Sequence, residues 1–82
     1  MSVSIQNFSF QPQTITVRRG STLTWTNQDS ASHTVTRDAS DGPMSPTLSS
    51  GQSYSYTFNS TGTFTYHCSI HPDMHGTVVV TD

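Results

Sequence analysis

The residues best suited to do chemistry lie near the C-terminus, where Cys68, His71 and Met74 follow one another with two residues between each pair. A thiolate, an imidazole and a thioether together suit copper, and copper sites exist in which two histidines and one cysteine form a plane beneath a weak axial methionine. The second histidine of such a set must come from elsewhere, and His33, far upstream at the start of a strand-like run, is the candidate. The spacing therefore predicts one metal site.

Other interpretations of these residues stay open. Taken singly, a lone inward cysteine is more often an inert core residue, and a methionine is usually packing. His75 directly follows Met74, and a set of Cys68, His71, His75 and His33 offers one thiolate and three imidazoles, which zinc accepts. His67 alternates away from Cys68 along the chain, which predicts a solvated surface histidine and not a ligand.

Short runs with period-two alternation must position these residues, because helical periodicity is absent. Strands are predicted at "VSIQNFSF", "TITVRR", "TLTWTN", "HTVTRD", "SYSYTFN", "TFTYHC" and "TVVVTD". Breaks are predicted at Pro12, Gly20, the turn of residues 41–43, Gly51, Gly62 and the Pro72 loop. This pattern predicts an all-β fold, either a two-sheet sandwich or a small barrel.

Strand parity predicts which side chains face inward. Phe64, Tyr66 and Cys68 share one face of their strand, so Cys68 ends an inward row. The same alternation predicts inward positions for Leu23, Trp25, Tyr54, Tyr56, Phe58, Val78 and Val80. The segment "SIHPDMH" then becomes a tight loop at the end of the fold, where the potential ligands can converge.

Length and charge restrict the kind of protein. The 82 residues predict a single domain over residues 1–82, and a lone cysteine cannot form an internal disulfide. The net charge is −2, with three arginines and no lysine. That balance argues against a nucleic-acid surface and a membrane-binding basic patch. The predicted partner is another protein or a small ligand, and neither membrane insertion nor a signal peptide is expected from the apolar pattern.

Four stretches carry a resemblance to a known family: "WTNQDSASH", "DGPM", "YSYTF" and "GTFTYHCSIHPDMHGTVVV". They resemble the cupredoxins, the type 1 blue copper proteins, and within that family the amicyanin group most closely. Plastocyanins are similar too but have a longer gap between the cysteine and the histidine. The resemblance implies a Greek-key β-sandwich of about seven to eight strands. It also implies one type 1 copper ion bound by His33, Cys68, His71 and a weak axial Met74.

The resemblance also implies a function. Such a protein shuttles one electron between protein partners as its copper alternates between Cu(I) and Cu(II), and it is not an enzyme. Redox partners would dock on an apolar patch around His71, here made by Met44, Ile70 and Pro72. The family usually works outside the cytoplasm, so the resemblance implies a periplasmic or otherwise extracytoplasmic location. The chain is also expected to be a monomer.

The chain departs from the family pattern at several positions. Thr34 stands where the family usually has the asparagine that ties the first ligand to the cysteine loop, and Ile70 replaces a common proline. Asp73 and His75 add polar groups near the expected patch. Because of these differences, the amicyanin partner methylamine dehydrogenase is not expected for this chain.

Two rival functions remain at the level of the sequence. One is a copper sensor, store or delivery module that uses the same ligands. The other is a metal-free immunoglobulin-like interaction domain, because Tyr66 stands two residues before Cys68 as a tyrosine does in immunoglobulin folds. That second rival lacks the partner cysteine that those domains use.

Overall fold

The computed structural model describes all 82 residues, and its regular elements are eight β-strands. The strands are β1 (Ser2–Gln6), β2 (Ser9–Gln11), β3 (Thr14–Arg18), β4 (Thr22–Asn27), β5 (Thr36–Arg37), β6 (Ser53–Thr57), β7 (Gly62–His67) and β8 (His75–Thr81). The all-β prediction is confirmed. The chain forms no helix with the length and apolar character needed to cross a lipid bilayer.

The strands form two four-stranded sheets that pack as a sandwich. The first sheet has the order β2-β1-β4-β6 and the second the order β3-β8-β7-β5. Most neighbours are antiparallel, but β1 pairs with β4 and β3 pairs with β8 in parallel. Since parallel neighbours cannot be joined by a tight hairpin, the chain crosses between the sheets. Residues distant in sequence are thereby brought to the same end of the sandwich.

The prediction of one continuous strand at "VSIQNFSF" is wrong, because the chain turns in the middle of this segment. Asn7 and Phe8 both have positive φ, 55° and 54°, and they separate β1 from an antiparallel β2. The inward residues explain the turn: Val3 and Ile5 are buried at odd positions, whereas Phe10 is buried at an even one. A flat strand cannot bury both parities on one face, so the chain has to change direction between them.

The predicted strand "HTVTRD" is also shorter than expected. Only Thr36 and Arg37 pair with β7, while His33 forms an isolated bridge with Leu48. Val35 and Ser45 are joined by two hydrogen bonds. The N–H of Val35 donates to the hydroxyl of Ser45, and the N–H of Ser45 donates to the carbonyl of Val35. His33 therefore sits on a loop that other loops hold in place. Gly62, expected to break the chain, is instead the first residue of β7.

One core cluster of fourteen buried residues fills the space between the sheets. Leu23, Trp25, Phe58, Val78 and Val80 are buried as predicted, together with Tyr66 and Cys68. Tyr54 and Tyr56 are only half-buried, because β6 is an edge strand of its sheet. The same cluster contains Met74, so the sandwich core extends into the loop that carries the potential ligands.

Tyr66 on β7 packs directly over Gly76 on β8. They are register partners, and a Cβ atom added to Gly76 would overlap the Tyr66 ring. Only glycine fits there. Burial raises the pKa of the Tyr66 phenol to about 12, and the adjacent indole N–H of Trp25 offsets this rise only in part. Neither of these two buried polar groups makes a hydrogen bond of normal geometry.

Candidate metal centre

Three of the four predicted ligands meet at one end of the sandwich. Cys68 Sγ lies 3.7 Å from Nδ1 of His33 and 3.8 Å from Nδ1 of His71. All three donor atoms are within 4.8 Å of one another. Cys68 and His33 are fully buried, and His71 is half-buried. Donor atoms at these separations surround a space in which one metal ion could bind all three.

The loop after β4 places His33. The buried side chain of Asn27 organises this loop, because its amide donates hydrogen bonds to the carbonyls of Ala31 and Leu48, both at 2.9 Å. Its carbonyl oxygen accepts the N–H of Asp29 at 2.9 Å. The main chain of His33 then pairs with that of Leu48 in both directions, at 3.0 and 2.8 Å. These bonds fix the backbone of the first ligand without a long strand.

Asp29 sets the orientation of the His33 ring. Its Oδ2 lies 2.8 Å from Nε2 of His33, and because a carboxylate only accepts, Nε2 carries the proton. Nδ1 is then the nitrogen left to bind a metal, and the carboxylate fixes the tautomer and the orientation of the ring. Burial raises the pKa of Asp29, but hydrogen bonds from the Phe8 N–H and from His33 outweigh it, and the pKa is lowered overall.

The same carboxylate holds the turn between β1 and β2. The N–H groups of Asn7 and Phe8 donate to its two oxygens, at 2.7 and 2.9 Å. This places the Phe8 ring edge-on against both imidazoles, with ring centroids 5.3 Å from His33 and 5.0 Å from His71. Phe8 is nevertheless 54% exposed. It forms a solvent-facing cover over the two histidines.

Sequence reasoning missed Asp29 and Phe8, although both left a signal. The change of burial parity between Ile5 and Phe10 required a turn near Phe8. An acidic residue four positions before the proposed ligand His33 is within reach of its ring. Both signals become meaningful only when β1 is known to lie beside β4.

Thr34 ties the two ligand segments together. Its N–H donates to Cys68 Sγ at 3.4 Å, and its hydroxyl accepts the N–H of Ser69 at 2.8 Å. The sequence placed Thr34 where the resembled family has an asparagine for this purpose. The threonine supplies the tie here, through its main chain to the sulfur and through its side chain to the loop.

The loop between β7 and β8 carries the remaining predicted ligands. The N–H of Cys68 donates to the carbonyl of Met74 at 3.1 Å, and the N–H of Met74 donates to that of His71 at 2.9 Å. These bonds close the loop onto itself. Met74 is 4% exposed, so its side chain is turned toward the core and not toward solvent. Its role as the axial ligand stays a prediction.

His67 and His75 lie outside this group of donors. His75 is exposed on β8, between the buried Met74 and Gly76. His67 is half-buried, and its Nδ1 is hydrogen-bonded to the carboxylate of Asp38. His67 was predicted to be a surface histidine and not a ligand, and it faces away from Cys68. The zinc alternative that required His75 is not supported by this placement.

The chemistry of the donors suits copper. One thiolate and two imidazoles form a soft, nitrogen-rich set, and a methionine lies on the same loop. Zinc accepts sulfur and nitrogen donors too, but it has no need of a thioether. The hydrogen bond from Thr34 stabilises negative charge on the Cys68 sulfur. The residues present therefore fit a copper ion of the kind predicted.

Exposed apolar side chains occur in the segments that adjoin the centre. Met44 is 56% and Ile70 47% exposed, and Pro72 is exposed as well. Ile70 and Pro72 flank His71 in sequence, while Met44 forms a bridge with Thr36 at the start of β5. Phe8 is the exposed apolar side chain whose ring contacts that of His71.

Known copper proteins are similar to this chain in sequence. Residues 1–81 match the family model for copper binding proteins of the plastocyanin/azurin family. Amicyanin-alpha of Methylorubrum extorquens is 39% identical over 82 residues, covering 95% of this chain and 69% of the relative.

Solved structures are similar as well. The Cu(I) form of an amicyanin mutant superposes with a TM-score of 0.92 at 36% identity, over 98% of this chain and 80% of that one. A Cu-containing nitrite reductase from Thermus scotoductus gives the same TM-score at 29% identity, but this chain spans only 22% of it. The similarity to the reductase is thus confined to a small part of that larger protein.

Proposed function

This chain belongs to the copper-binding plastocyanin/azurin family, and on that basis we propose that it is a small electron carrier. One type 1 copper ion would be bound by the four predicted ligands His33, Cys68, His71 and Met74. The observation that carries this proposal is the buried convergence of Cys68 Sγ with two imidazole Nδ1 atoms. Residues 1–82 would act as one copper-binding domain.

A bound copper ion supplies a one-electron change between Cu(II) and Cu(I). The protein contributes a site that need not rearrange when the charge of the ion changes. His33 is held through Asp29 and Leu48, and Cys68 through Thr34 and Met74. Burial of both residues excludes water from the sulfur. Such a fixed, dry set of ligands is what electron transfer without ligand exchange requires.

Electrons would enter and leave through the His71 edge. His71 is the one half-exposed member of the three converging donors, and the exposed Phe8 ring stands against it. We propose that Met44, Ile70 and Pro72, all exposed, complete an apolar patch around this edge, next to the polar Asp73 and His75. A net charge of only −2 provides little long-range attraction, so docking would depend on this patch. A redox protein with a matching apolar surface, bound briefly, fits such a surface.

Copper delivery is the main competing function, and the burial of the ligands argues against it. A courier must release its ion quickly to a receiver, whereas His33 and Cys68 are fully buried and cross-bonded. An enzyme that used Cys68 as a nucleophile would need an accessible thiol. We therefore propose a monomeric carrier without catalytic activity of its own, working outside the cytoplasm as its relatives' family does.

A Cu(II) titration tests this proposal directly. We expect one equivalent of copper to produce a strong visible absorption band and an EPR spectrum with narrow copper hyperfine splitting. The matched variant Cys68→Ser, which changes one atom in a buried side chain, should remove both signals. A colourless wild-type protein, or a variant with the same spectrum as wild type, would refute the site.

A second measurement separates carrier from courier in the copper-loaded protein. Electron self-exchange, measured by NMR line broadening in mixtures of the two oxidation states, should be fast. Transfer of Cu(I) to a strong chelator should be slow by comparison. Rapid transfer to the chelator with slow self-exchange would replace the carrier by a delivery module.

A further inference from the structure

A second cluster of potential metal ligands lies on the outer face of the second sheet. His67 on β7 and His75 on β8 are direct register partners. Asp38 directly follows β5, and its N–H donates to the carbonyl of Thr65 at 3.1 Å. The register partner of His67 on β5 is Thr36, so Asp38 lies two residues beyond it, diagonally across from His67. Because β5, β7 and β8 are consecutive neighbours, Asp38, His67 and His75 form a diagonal row across three adjacent strands.

This row is separate from the proposed copper centre. In β7 and the residue that follows it, Tyr66 and Cys68 are buried, while His67 between them faces the other side of the sheet. In β8 the buried residues are Gly76, Val78 and Val80, which leaves His75 on the outer face with His67. The two centres therefore lie on opposite faces of the same two strands. None of the proposed copper ligands belongs to the row.

Contacts already link two members of the row. Nδ1 of His67 is hydrogen-bonded to Oδ1 of Asp38. Burial raises the pKa of Asp38, but the hydrogen bonds from His67 and Thr65 outweigh it, and the pKa is lowered overall. The carboxylate is thus charged at neutral pH, as a metal ligand or its supporting partner must be. Nε2 of His67 has no partner within the protein, and it remains available.

The third member lies within reach of the other two. Directly opposed residues on antiparallel strands have Cβ atoms about 4.5–5.5 Å apart, which allows two imidazoles to bind the same ion. Only the donors of the copper centre lie within 4.8 Å of one another as they stand, so binding of one ion by His67 and His75 requires the His75 ring to rotate. His75 is exposed and its ring makes no hydrogen bond, so nothing holds it in its present rotamer.

We propose that His67 and His75, supported by Asp38, form a second metal site that binds one divalent transition ion such as Zn²⁺. Imidazole nitrogens are donors for these ions, and a carboxylate bonded to the far nitrogen of a histidine fixes the ring for ligation. Side-chain exposures of 28% for His67 and 36% for Asp38 leave the row open to an ion from solvent. The remaining coordination positions would be open to water or to a group from a partner.

Zinc binding by the copper-loaded protein tests the second site. Protein carrying one copper per chain is dialysed against increasing Zn²⁺, and both metals are then measured per chain. We expect one zinc to be retained while the copper content stays unchanged. His75→Gln, which keeps a polar side chain on an exposed position, should weaken zinc binding at least tenfold, and Asp38→Asn should weaken it by about 10–100-fold.

Asp41→Asn is the matched control, because Asp41 is an exposed carboxylate outside the row; it should bind zinc as wild type does. The ring-nitrogen NMR signals of His67 and His75, but not those of His71, should shift when zinc is added. Failure of the wild type to retain zinc, or equal zinc affinity in His75→Gln, would overturn the second site. Loss of copper when zinc is added would also overturn it, since zinc would then be occupying the buried centre. None of these outcomes depends on whether the copper centre transfers electrons.

Discussion

Replacement of Asp29 by asparagine should disturb both the fold and the metal centre. The carboxylate accepts three hydrogen bonds, from the N–H groups of Asn7 and Phe8 and from Nε2 of His33. An asparagine keeps one acceptor oxygen and turns an NH₂ group toward a donor. A hydrogen bond to a charged group contributes about 1.5–3 kcal/mol. The loss of one or two such bonds predicts a destabilisation of about 2–4 kcal/mol.

The effect is large enough to measure by two independent methods. In a domain of this size, each kcal/mol lowers Tm by about 4–8 °C, so metal-free Asp29→Asn should melt about 8–32 °C below wild type. Copper affinity should fall by about 10–100-fold, because the ring of His33 loses the group that orients it. Asp41→Asn removes the same charge from an exposed site and should change neither quantity.

The pH dependence of stability supplies a further check on Asp29. Its pKa is lowered in the folded protein below the ordinary value of 3.8, so folding favours the charged form. The stabilisation is present above pH 3.8 and is lost as the pH falls through the folded pKa. In Asp29→Asn, the free energy of unfolding should therefore change less steeply with pH in this acid range. An unchanged Tm, copper affinity and acid slope in Asp29→Asn would refute the role assigned to this carboxylate.

Three other substitutions test separate parts of the structure. Tyr66→Phe removes a buried hydroxyl that has no partner and should raise stability by about 1 kcal/mol. Because the pKa of Tyr66 is raised to about 12, wild type should lose stability as the pH rises from 10 to 12, and urea unfolding of Tyr66→Phe should show less of this loss. Met74→Leu should keep the copper but raise its reduction potential in voltammetry, and an unchanged potential would remove Met74 from the ligand set. Phe8→Ala should leave the absorption spectrum intact and slow electron self-exchange, whereas an unchanged rate would place the docking surface elsewhere.

Local patterns in the sequence were enough to predict an all-β fold, a sandwich or a small barrel, and a metal site around Cys68, while the Greek-key sandwich was implied by the family resemblance. Alternation in "TFTYHC" correctly placed Cys68 inward and His67 outward, because side chains on a strand have a fixed period of two. Cys68 and His71 lie in the same short loop, so their proximity follows from residues close together in the sequence. His33 was found by its type and by family resemblance. Its actual support, a bridge to Leu48, joins two loops and has no local signature.

The features that were missed depend on contacts between distant segments. Asp29 reaches Asn7 and Phe8 across more than twenty residues, and the contact exists because β1 lies parallel to β4. A parallel pairing leaves no turn signal in the sequence. The row formed by Asp38, His67 and His75 depends in the same way on the order of three strands. The positions of the histidines in the sequence do not by themselves predict that these three residues lie together.

Asp29 connects the proposed docking surface to the ligand set. Phe8 is exposed, yet its backbone N–H is bonded to the same oxygen that holds Nε2 of His33. A partner that bound against Phe8 would contact the turn between β1 and β2. The carboxylate of Asp29 is bonded both to the main chain of this turn and to the ring of His33. Because His33 is fully buried and bonded through Leu48 as well, the ring would resist displacement by the partner. The turn can therefore meet a partner while the proposed copper geometry stays fixed, and a carrier that must dock and release many times requires this combination.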